Sequence, residues 1–236
     1  SGKSRAFVND TGPFGTNSMV IRQYNDGFNF YCGGQSLADS GTNMAQWNHA
    51  LMTRSGSTVR YFVNGELRGT DTTSGNVYAE PTNQLTIGGF YDVSTPAEFM
   101  QGHASNLRLT VGSIPTEYQT SSTTVGTKIF IPSTEPLTLT SQGATSSDVK
   151  LLCCQSPTSA TAATVSSASL STNNTVTTTS FNPFTSDINA VRGRETGYCT
   201  LNPLYGDLTL SNGNLDATAP GQWDGSAGTI GMTSGK

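Results

Sequence analysis

Hydrophobic and polar residues alternate along residues 46–70, and this pattern predicts three short strands joined by two turns. Trp47, His49 and Leu51 fall on one face of the first strand, because successive side chains of a strand point to opposite sides of the sheet. The Asn64-Gly65 pair follows the second strand and is the strongest short-range hairpin signal, since both residues accept the positive φ of a type I′ turn. The stretch is therefore predicted to form a half-buried antiparallel meander.

Further short apolar runs predict strands on both sides of this meander. They lie at residues 19–22, 28–32, 85–87 and 107–111. The run at 149–154 carries a single lysine, as expected of a strand buried on both faces. No window repeats apolar residues at helical spacing over three turns, so we expect an all-β chain with almost no helix. Two antiparallel sheets should pack face to face around a core of Trp47, Leu51, Val59, Tyr61, Val63, Ile87, Leu107 and Leu109.

Three motifs in this part of the chain resemble laminin-G-like (concanavalin A-like) jelly rolls. The first motif is Trp47, His49, Ala50, Leu51, Thr53 and Arg54, followed by Val59, Tyr61, Val63, Asn64 and Gly65. The second is Leu85-Thr86-Ile87-Gly88-Gly89, and the third runs from Gly102 to Thr110. Their order and spacing are those of the family. The resemblance implies an antiparallel two-sheet jelly-roll sandwich, a class that contains sugar-binding proteins and glycoside hydrolases.

The low content of charged residues limits the kinds of molecule that the chain is expected to bind. Charged residues make up 12% of the chain and the formal net charge is −4. The sequence has no basic stripe that could follow a phosphate backbone, so we expect no nucleic-acid partner. It also has no run of about eighteen apolar residues, so we expect no membrane insertion.

The four cysteines are Cys32, Cys153, Cys154 and Cys199, and their spacing matches no zinc-binding pattern. We expect reduced, partly buried thiols, with Cys153 and Cys154 on opposite faces of their strand. Reduced thiols fit assembly in a reducing cytoplasm.

Composition divides the chain into three parts. Residues 1–155 are predicted to form the jelly roll, and it stays open whether strands precede Ser1. Residues 156–195 form a connector, since fifteen of the 25 residues from 156 to 180 are Ser or Thr and none is charged. Residues 196–236 resemble the opening strands of SPRY-like β modules in phage tail proteins. About forty residues are too few for a core, so we expect partner strands beyond Lys236.

Paired carboxylates are the chemistry to test first in a jelly roll, because retaining glycosidases need two carboxyl groups about 5 Å apart. On one strand face that requires acidic residues at i and i+2. Six glutamates lack such a neighbour: Glu66, Glu80, Glu98, Glu117, Glu135 and Glu195. His49 is expected to be a core side chain bonded to the backbone, and His103 a structural residue, since no Gly-x-Ser-x-Gly elbow accompanies them. We predict that the chain is not an enzyme.

Only the family resemblance suggests calcium binding, because laminin-G-like and pentraxin-like domains often bind this ion. Asp26, Asp71 and Asp92 lie in predicted loops, but no Asp-rich loop groups them into a set of six to eight oxygen ligands. Turn formation accounts for these aspartates. We therefore expect no cofactor, and no clear motif supports calcium.

Aromatic residues in loops are the best signal of ligand binding. Tyr24 precedes the Asn25-Asp26-Gly27 turn, and Tyr91 lies beside Asp92 in a loop predicted over residues 90–101. Such tyrosines stack on sugar rings, and they also serve to pack loops. The candidate ligand-binding residues are Tyr24, Tyr91 and Asp92.

The arrangement as a whole resembles structural proteins of tailed bacteriophages, particularly those of marine cyanobacteria. It consists of a jelly roll ending at Leu151-Leu152-Cys153, a connector with Phe181-Asn182-Pro183-Phe184, and a second β module beginning at Tyr198-Cys199-Thr200. The resemblance implies a homo-oligomeric virion appendage, such as a tail or head fibre, assembled in the host cytoplasm. Its partners would be other virion proteins and a host cell-surface glycan. Two alternatives stay open: a decoration protein without a host ligand, and a glycan-processing enzyme.

Overall fold

The computed structural model describes residues 5–10, 19–24, 27–44, 46–75, 85–92, 95–97, 99–100, 102–172, 176–180, 182–184, 201, 208–211 and 216–218. Within these ranges, the side chains of residues 5–10, 24, 90–92, 95–97 and 211 lie outside the description. The chain divides into two compact units, Ser1–Ser180 and Phe181–Lys236.

Strands and short 3-10 turns are the regular elements of these residues, which confirms the predicted all-β class. The strands of the first unit are β1 Arg5–Asp10, β2 Met19–Tyr24, β3 Gly27–Cys32, β4 Gln35–Ala38, β5 Ala50–Ser55, β6 Thr58–Val63, β7 Glu66–Thr72, β8 Leu85–Ile87, β9 Phe90–Asp92, β10 Thr95–Ala97, β11 Leu107–Thr110, β12 Val149–Cys153 and β13 Ala163–Ser166. Its 3-10 turns are Thr116–Tyr118, Ser141–Gly143 and Ser146–Asp148. The second unit contains a hairpin of β14, Thr209–Ser211, and β15, Asp216–Thr218.

A five-stranded antiparallel sheet of order β4-β3-β2-β1-β8 forms one layer of the first unit. β2 and β3 pair from Met19 opposite Cys32 to Tyr24 opposite Gly27. β8 enters from a distant part of the chain and pairs Ile87 with Val8 of β1. The sheet is thus a β1-β2-β3-β4 meander extended at one side by the non-local strand β8.

The predicted meander forms a second antiparallel sheet of order β5-β6-β7, called here the middle sheet. Asn64 and Gly65 have φ angles of 52° and 80°, which confirms the type I′ turn between β6 and β7. The core between the two sheets consists of Phe28, Phe30, Cys32, Val59, Tyr61 and Val63, with the rings of Phe30 and Tyr61 5.4 Å apart. This sandwich matches the fold expected from the sequence.

The opposite face of the middle sheet is buried as well. Phe62 and Leu67 point away from the sandwich core and pack against Tyr118 and Phe130. The backbone of residues 124–130 follows β7, since Leu67 N–H donates to the Thr127 carbonyl over 2.9 Å. We call residues 114–130 the covering segment. It supplies the second apolar layer that Phe62 and its neighbours require.

A third antiparallel sheet has the order β11-β12-β13, with β12 in the centre. Leu152 of β12 is fully buried in a cluster with Ala144 and Val149, which fits the predicted burial of this run. Arg108 of β11 donates to the carbonyls of Thr138 and Ser141 over 3.2 and 2.8 Å. Strand β13 comes from the Ser/Thr-rich stretch and pairs with β12. The domain bounds drawn from composition stay predictions.

The predicted core is corrected at several positions. Val59, Tyr61 and Val63 are fully buried as expected, but Leu51 packs into the cluster on the other side of the middle sheet. The reason is the register of β5 and β6, which places Leu51 opposite Phe62 rather than Tyr61. The remaining predicted core residues are only partly buried: Trp47, Ile87, Leu107 and Leu109.

The loop expected over residues 90–101 contains a short hairpin instead. β9 and β10 pair with Tyr91 opposite Pro96 and Asp92 opposite Thr95. Proline is tolerated at such an edge because its missing N–H removes only one ladder bond.

The expectation that Cys153 and Cys154 occupy opposite strand faces is wrong. The strand ends at Cys153, and Cys154 has a φ of 61°, so the alternation of a strand no longer applies there. The two sulfur atoms lie 3.6 Å apart. Cys32, Cys153 and Cys154 carry free thiols, as expected, and Cys199 lies outside the described residues.

The Asn64-Gly65 turn generates a matched pair of glycine substitutions. A Cβ on Gly65 would lie 2.0 Å from the carbonyl oxygen of Phe130, whereas Gly56, which also has positive φ, has open space around it. Gly56→Ala should cost about 1 kcal/mol for the left-handed backbone. Gly65→Ala adds displacement of the covering segment, and we expect a loss of about 3 kcal/mol or more in the free energy of unfolding. Urea unfolding of both variants measures the difference, and equal losses would contradict this packing.

A second pair of substitutions tests the role of Tyr61. Its ring is fully buried, and its hydroxyl has no hydrogen-bond partner among the described residues. Tyr61→Ala should cost about 3–5 kcal/mol, as a large truncation in a core does. Tyr61→Phe removes only an unsatisfied polar atom, so its free energy of unfolding should equal or exceed that of the parent protein. A loss above about 1 kcal/mol in Tyr61→Phe would show that the hydroxyl has a stabilising partner.

Candidate functional site

A polar cluster lies on the face of the five-stranded sheet that points away from the sandwich core. Phe28, Phe30 and Cys32 of β3 face the core, so the alternate positions Asn29 and Tyr31 face the other way. Arg22 of β2 is paired opposite Asn29 and shares that face. We call Arg22, Asn29 and Tyr31 the outer-face cluster.

Hydrogen bonds hold the outer-face cluster in one arrangement. Arg22 Nε donates to Asn29 Oδ1 over 3.0 Å, and Arg22 Nη2 donates to the Tyr31 hydroxyl over 3.1 Å. Asn29 Nδ2 donates to the Leu37 carbonyl of β4 over 3.0 Å. The guanidinium carbon also lies 5.1 Å from the centre of the Tyr31 ring, within cation–π range. Three strands therefore fix the positions of a guanidinium, an amide and a phenol.

The residues of the outer-face cluster and their neighbour Val20 differ in solvent exposure. Val20, paired opposite Tyr31, is fully buried, and Asn29 is 5% exposed. Arg22 and Tyr31 are partly exposed. A ligand at this face would meet the guanidinium and the aromatic ring first.

The tyrosines and the aspartate predicted to bind ligand are placed by their backbones only. Tyr24 is the last residue of β2, two positions beyond Arg22, and Tyr91 and Asp92 lie in β9. β8 runs past Ile87 in the direction of Arg5, which pairs with Gln23 beside Tyr24, and β9 follows there against β1. Tyr24 and Tyr91 thus approach the same end of the five-stranded sheet, and their role in binding stays a prediction.

The outer-face cluster was not predicted from the sequence, because its residues lie within strands and not in loops. A signal was present in the sequence: Asn29 and Tyr31 alternate with three core residues in a strand that otherwise reads as apolar. A polar residue inside such a strand needs a hydrogen-bonded setting when it is buried. Arg22 on the neighbouring strand supplies that setting.

Two of the described carboxylates share one guanidinium. Arg68 lies 3.6 Å from Asp39 and 3.4 Å from Glu66, and Asp39 also accepts a hydrogen bond from Thr42 Oγ1 over 2.5 Å. Both carboxylates thus face one guanidinium, an arrangement that differs from an acid and a nucleophile flanking a sugar.

His49 is a histidine in an apolar setting, as expected, but its expected bond from the ring to the backbone is not formed. Its ring packs on Phe130 with centres 5.5 Å apart, and Nδ1 has no hydrogen-bond partner among the described residues. The backbone N–H of His49 donates to Asn64 Oδ1 over 2.8 Å instead. Burial, with smaller contributions from the charges of Arg108 and Lys128, lowers the pKa of His49 to about 4. His103 is exposed, with its ring 6.2 Å from that of Trp47.

Within the residues that the structure describes, no three His, Cys, Asp or Glu side chains come together as a metal site. The carboxylate of Asp71 accepts the N–H of Thr72, while Asp26 and the side chain of Asp92 lie outside the described part. No described helix is long and apolar enough to cross a membrane.

Comparison with known families supports the fold assignment. The family model described as the concanavalin A-like lectin/glucanases superfamily matches residues 1–110, just under half of the 236-residue chain. The matched region contains both sheets of the sandwich and the whole outer-face cluster. No curated protein matches the chain. No solved structure matches it either. Residues 1–110 are therefore similar to a superfamily that includes both lectins and glucanases.

The lowered pKa of His49 makes stability depend on pH. Between its unfolded value of about 6.5 and the folded value of about 4, only the unfolded chain binds the proton. His49 should therefore lower the free energy of unfolding by at most about 1.4 kcal/mol for each pH unit of acidification in that window. Urea unfolding between pH 7 and pH 4 should show this slope reduced in His49→Gln. The exposed His103→Gln serves as the matched control, and an unchanged slope in His49→Gln would contradict neutral burial.

Proposed function

We propose that the chain is a carbohydrate-binding module of a virion appendage, with the outer-face cluster as its sugar-binding site. The observation that carries the proposal is the hydrogen-bonded set of Arg22, Asn29 and partly exposed Tyr31 on the outer face of a sandwich similar to the lectin/glucanase superfamily. The candidate tyrosines Tyr24 and Tyr91 would extend the site toward one end of the same sheet.

The chemistry of the cluster suits a saccharide. A sugar ring presents hydroxyl groups around its edge and C–H groups on its faces. The planar guanidinium of Arg22 and the amide of Asn29 offer donors and an acceptor for hydroxyl groups. The ring of Tyr31 offers an aromatic surface with a polar tip. Because the three groups are bonded to one another and to Leu37, little ordering is left to complete when a ligand binds.

Binding fits the site better than hydrolysis does. The outer-face cluster consists of a guanidinium, an amide and a phenol, and it includes no carboxylate. Glycoside hydrolysis requires one carboxylic acid and one carboxylate on either side of the scissile bond. Asp39 and Glu66 are each engaged with Arg68.

The appendage part of the proposal rests on the resemblance to tailed-phage structural proteins. Small, partly solvated sugar sites bind weakly, so repetition on a homo-oligomeric appendage would raise avidity by roughly 10²–10⁴. The partners would be other virion proteins and a glycan on the host cell surface. With a net charge of −4, the chain offers little electrostatic attraction to phosphates, so binding should depend weakly on salt.

The test is glycan-array binding by the purified full chain displayed as multimers. Arg22→Ala and Tyr31→Ala should each reduce retention on the preferred glycan at least about tenfold, the equivalent of 1.4 kcal/mol. Tyr31→Phe keeps the ring and should lose less than Tyr31→Ala. Arg54→Ala is the matched control, because that guanidinium donates to the nearby Gly56 carbonyl on the middle sheet and lies outside the cluster.

Two results would reject parts of the proposal. Full binding by folded Arg22→Ala and Tyr31→Ala would remove the outer-face cluster, and parallel loss in Tyr24→Ala and Tyr91→Ala would transfer the site to the strand ends. Absence of binding to every glycan by the multimeric parent chain would leave the decoration-protein alternative. Circular dichroism and melting of each variant separate lost binding from lost folding.

A further inference from the structure

Two thiols meet where β12 ends. Cys153 is the last residue of the strand and is 2% exposed, while Cys154 has a φ of 61° and is partly exposed. Their sulfur atoms are 3.6 Å apart, which is van der Waals contact, whereas a disulfide bond measures about 2.05 Å. The left-handed turn at Cys154 produces this contact, because residues in a continuing strand would direct the two sulfurs to opposite faces.

The two thiols differ in access and acidity. The hydrogen bond between them raises the pKa of Cys153, and burial raises it further. The same hydrogen bond lowers the pKa of Cys154, although burial opposes the shift. Cys154 is thus the more exposed residue of the two and the one whose pKa is lowered, and thiolates are the attacking species in exchange with disulfides.

We infer that Cys153 and Cys154 form a reversible redox site, in which Cys154 attacks a low-molecular-weight disulfide and Cys153 resolves the adduct into a vicinal disulfide. The geometry distinguishes the roles, since Cys154 is partly exposed, whereas Cys153 is 2% exposed and its sulfur lies 3.6 Å from that of Cys154.

A low-molecular-weight disulfide is the oxidant of this thiol–disulfide exchange. Cys154 thiolate attacks one sulfur of the small disulfide, whose S–S bond breaks and releases one thiolate. Cys153 then loses its proton and attacks the Cys154 sulfur, and the second small thiolate leaves. Two cysteine thiols are oxidised, two electrons reduce the small disulfide, and the two protons end on the released thiols.

The product should be easily reduced. Adjacent Cα atoms are about 3.8 Å apart, below the usual 4.4–6.8 Å of disulfides, so the ring is strained. Strained disulfides have the higher potentials typical of reversible sites.

The site also lies at a structural junction. The backbone carbonyl of Cys154 accepts the N–H of Asn106 over 3.0 Å. Gln155 Nε2 donates to Asn106 Oδ1 and to the Leu137 carbonyl, each over 2.7 Å. Gln155 Oε1 accepts from Thr164 Oγ1 of β13 over 3.1 Å. A change in the backbone at Cys154 on oxidation would thus alter hydrogen bonds that connect β12 to β13 and to Asn106, the residue before β11.

The experiment treats the folded full chain with oxidised glutathione, blocks the remaining thiols with iodoacetamide and maps tryptic peptides by mass. Trypsin releases residues 151–192, which contain Cys153 and Cys154 but neither Cys32 nor Cys199. We expect this peptide to be lighter by two hydrogen atoms and to carry no alkyl group. Dithiothreitol before blocking should restore two alkylated thiols.

Single variants assign the roles. Cys153→Ser lacks the resolving thiol and should keep a glutathione adduct on Cys154, whereas Cys154→Ser should leave Cys153 largely unmodified. A persistent adduct on the parent chain would overturn the resolving step. Two alkylated cysteines in peptide 151–192 after oxidation, or a disulfide from Cys154 to Cys199, would overturn the site itself. Cys32→Ser, altered in the sandwich core, should leave the result for peptide 151–192 unchanged.

Discussion

Burial of the middle sheet on both faces is the constraint on which the rest of the first unit depends. Tyr61 and Phe62 are consecutive and both fully buried, so they require apolar partners on opposite sides of one sheet. The five-stranded sheet supplies the first set through Phe28 and Phe30, and the covering segment supplies the second through Tyr118 and Phe130. The close approach of the Phe130 carbonyl to Gly65 couples the turn between β6 and β7 to this second layer. The first unit is thus a two-sheet sandwich with a further apolar layer, formed by the covering segment, on the outer face of the middle sheet.

The sequence predicts this architecture where the information is local. The Asn64-Gly65 turn follows from the φ preferences of two residues, and the opposed faces of Tyr61 and Phe62 follow from strand alternation. The position of Leu51 cannot be predicted in this way, because the register of the β5–β6 pairing decides which apolar layer its side chain joins. The covering segment was not predicted either, since it has little regular structure and its burial depends on contacts between residues far apart in sequence.

The same distinction between local and non-local information explains what was missed at the candidate site. The sequence points to Tyr24 and Tyr91 because they lie next to predicted turns, which a sequence shows directly. The outer-face cluster needs the pairing of Arg22 with Asn29 and the alternation of β3 to be known together. Likewise, the contact between Cys153 and Cys154 depends on one residue with a left-handed backbone, and cysteine has no local preference that would predict it.

The energetics of the outer-face cluster favour a role beyond folding. A buried or half-buried guanidinium contributes little net stability even when it is well bonded, because its desolvation offsets much of the gain. Apolar side chains at Arg22 and Asn29 could cover the same strands at equal or lower cost, so stability alone does not account for the polar groups. A bound ligand would account for them, since fixed donors beside an aromatic ring lower the ordering cost of recognition. The site would lie on the face of the five-stranded sheet opposite the sandwich core, where Arg22 and Tyr31 are partly exposed.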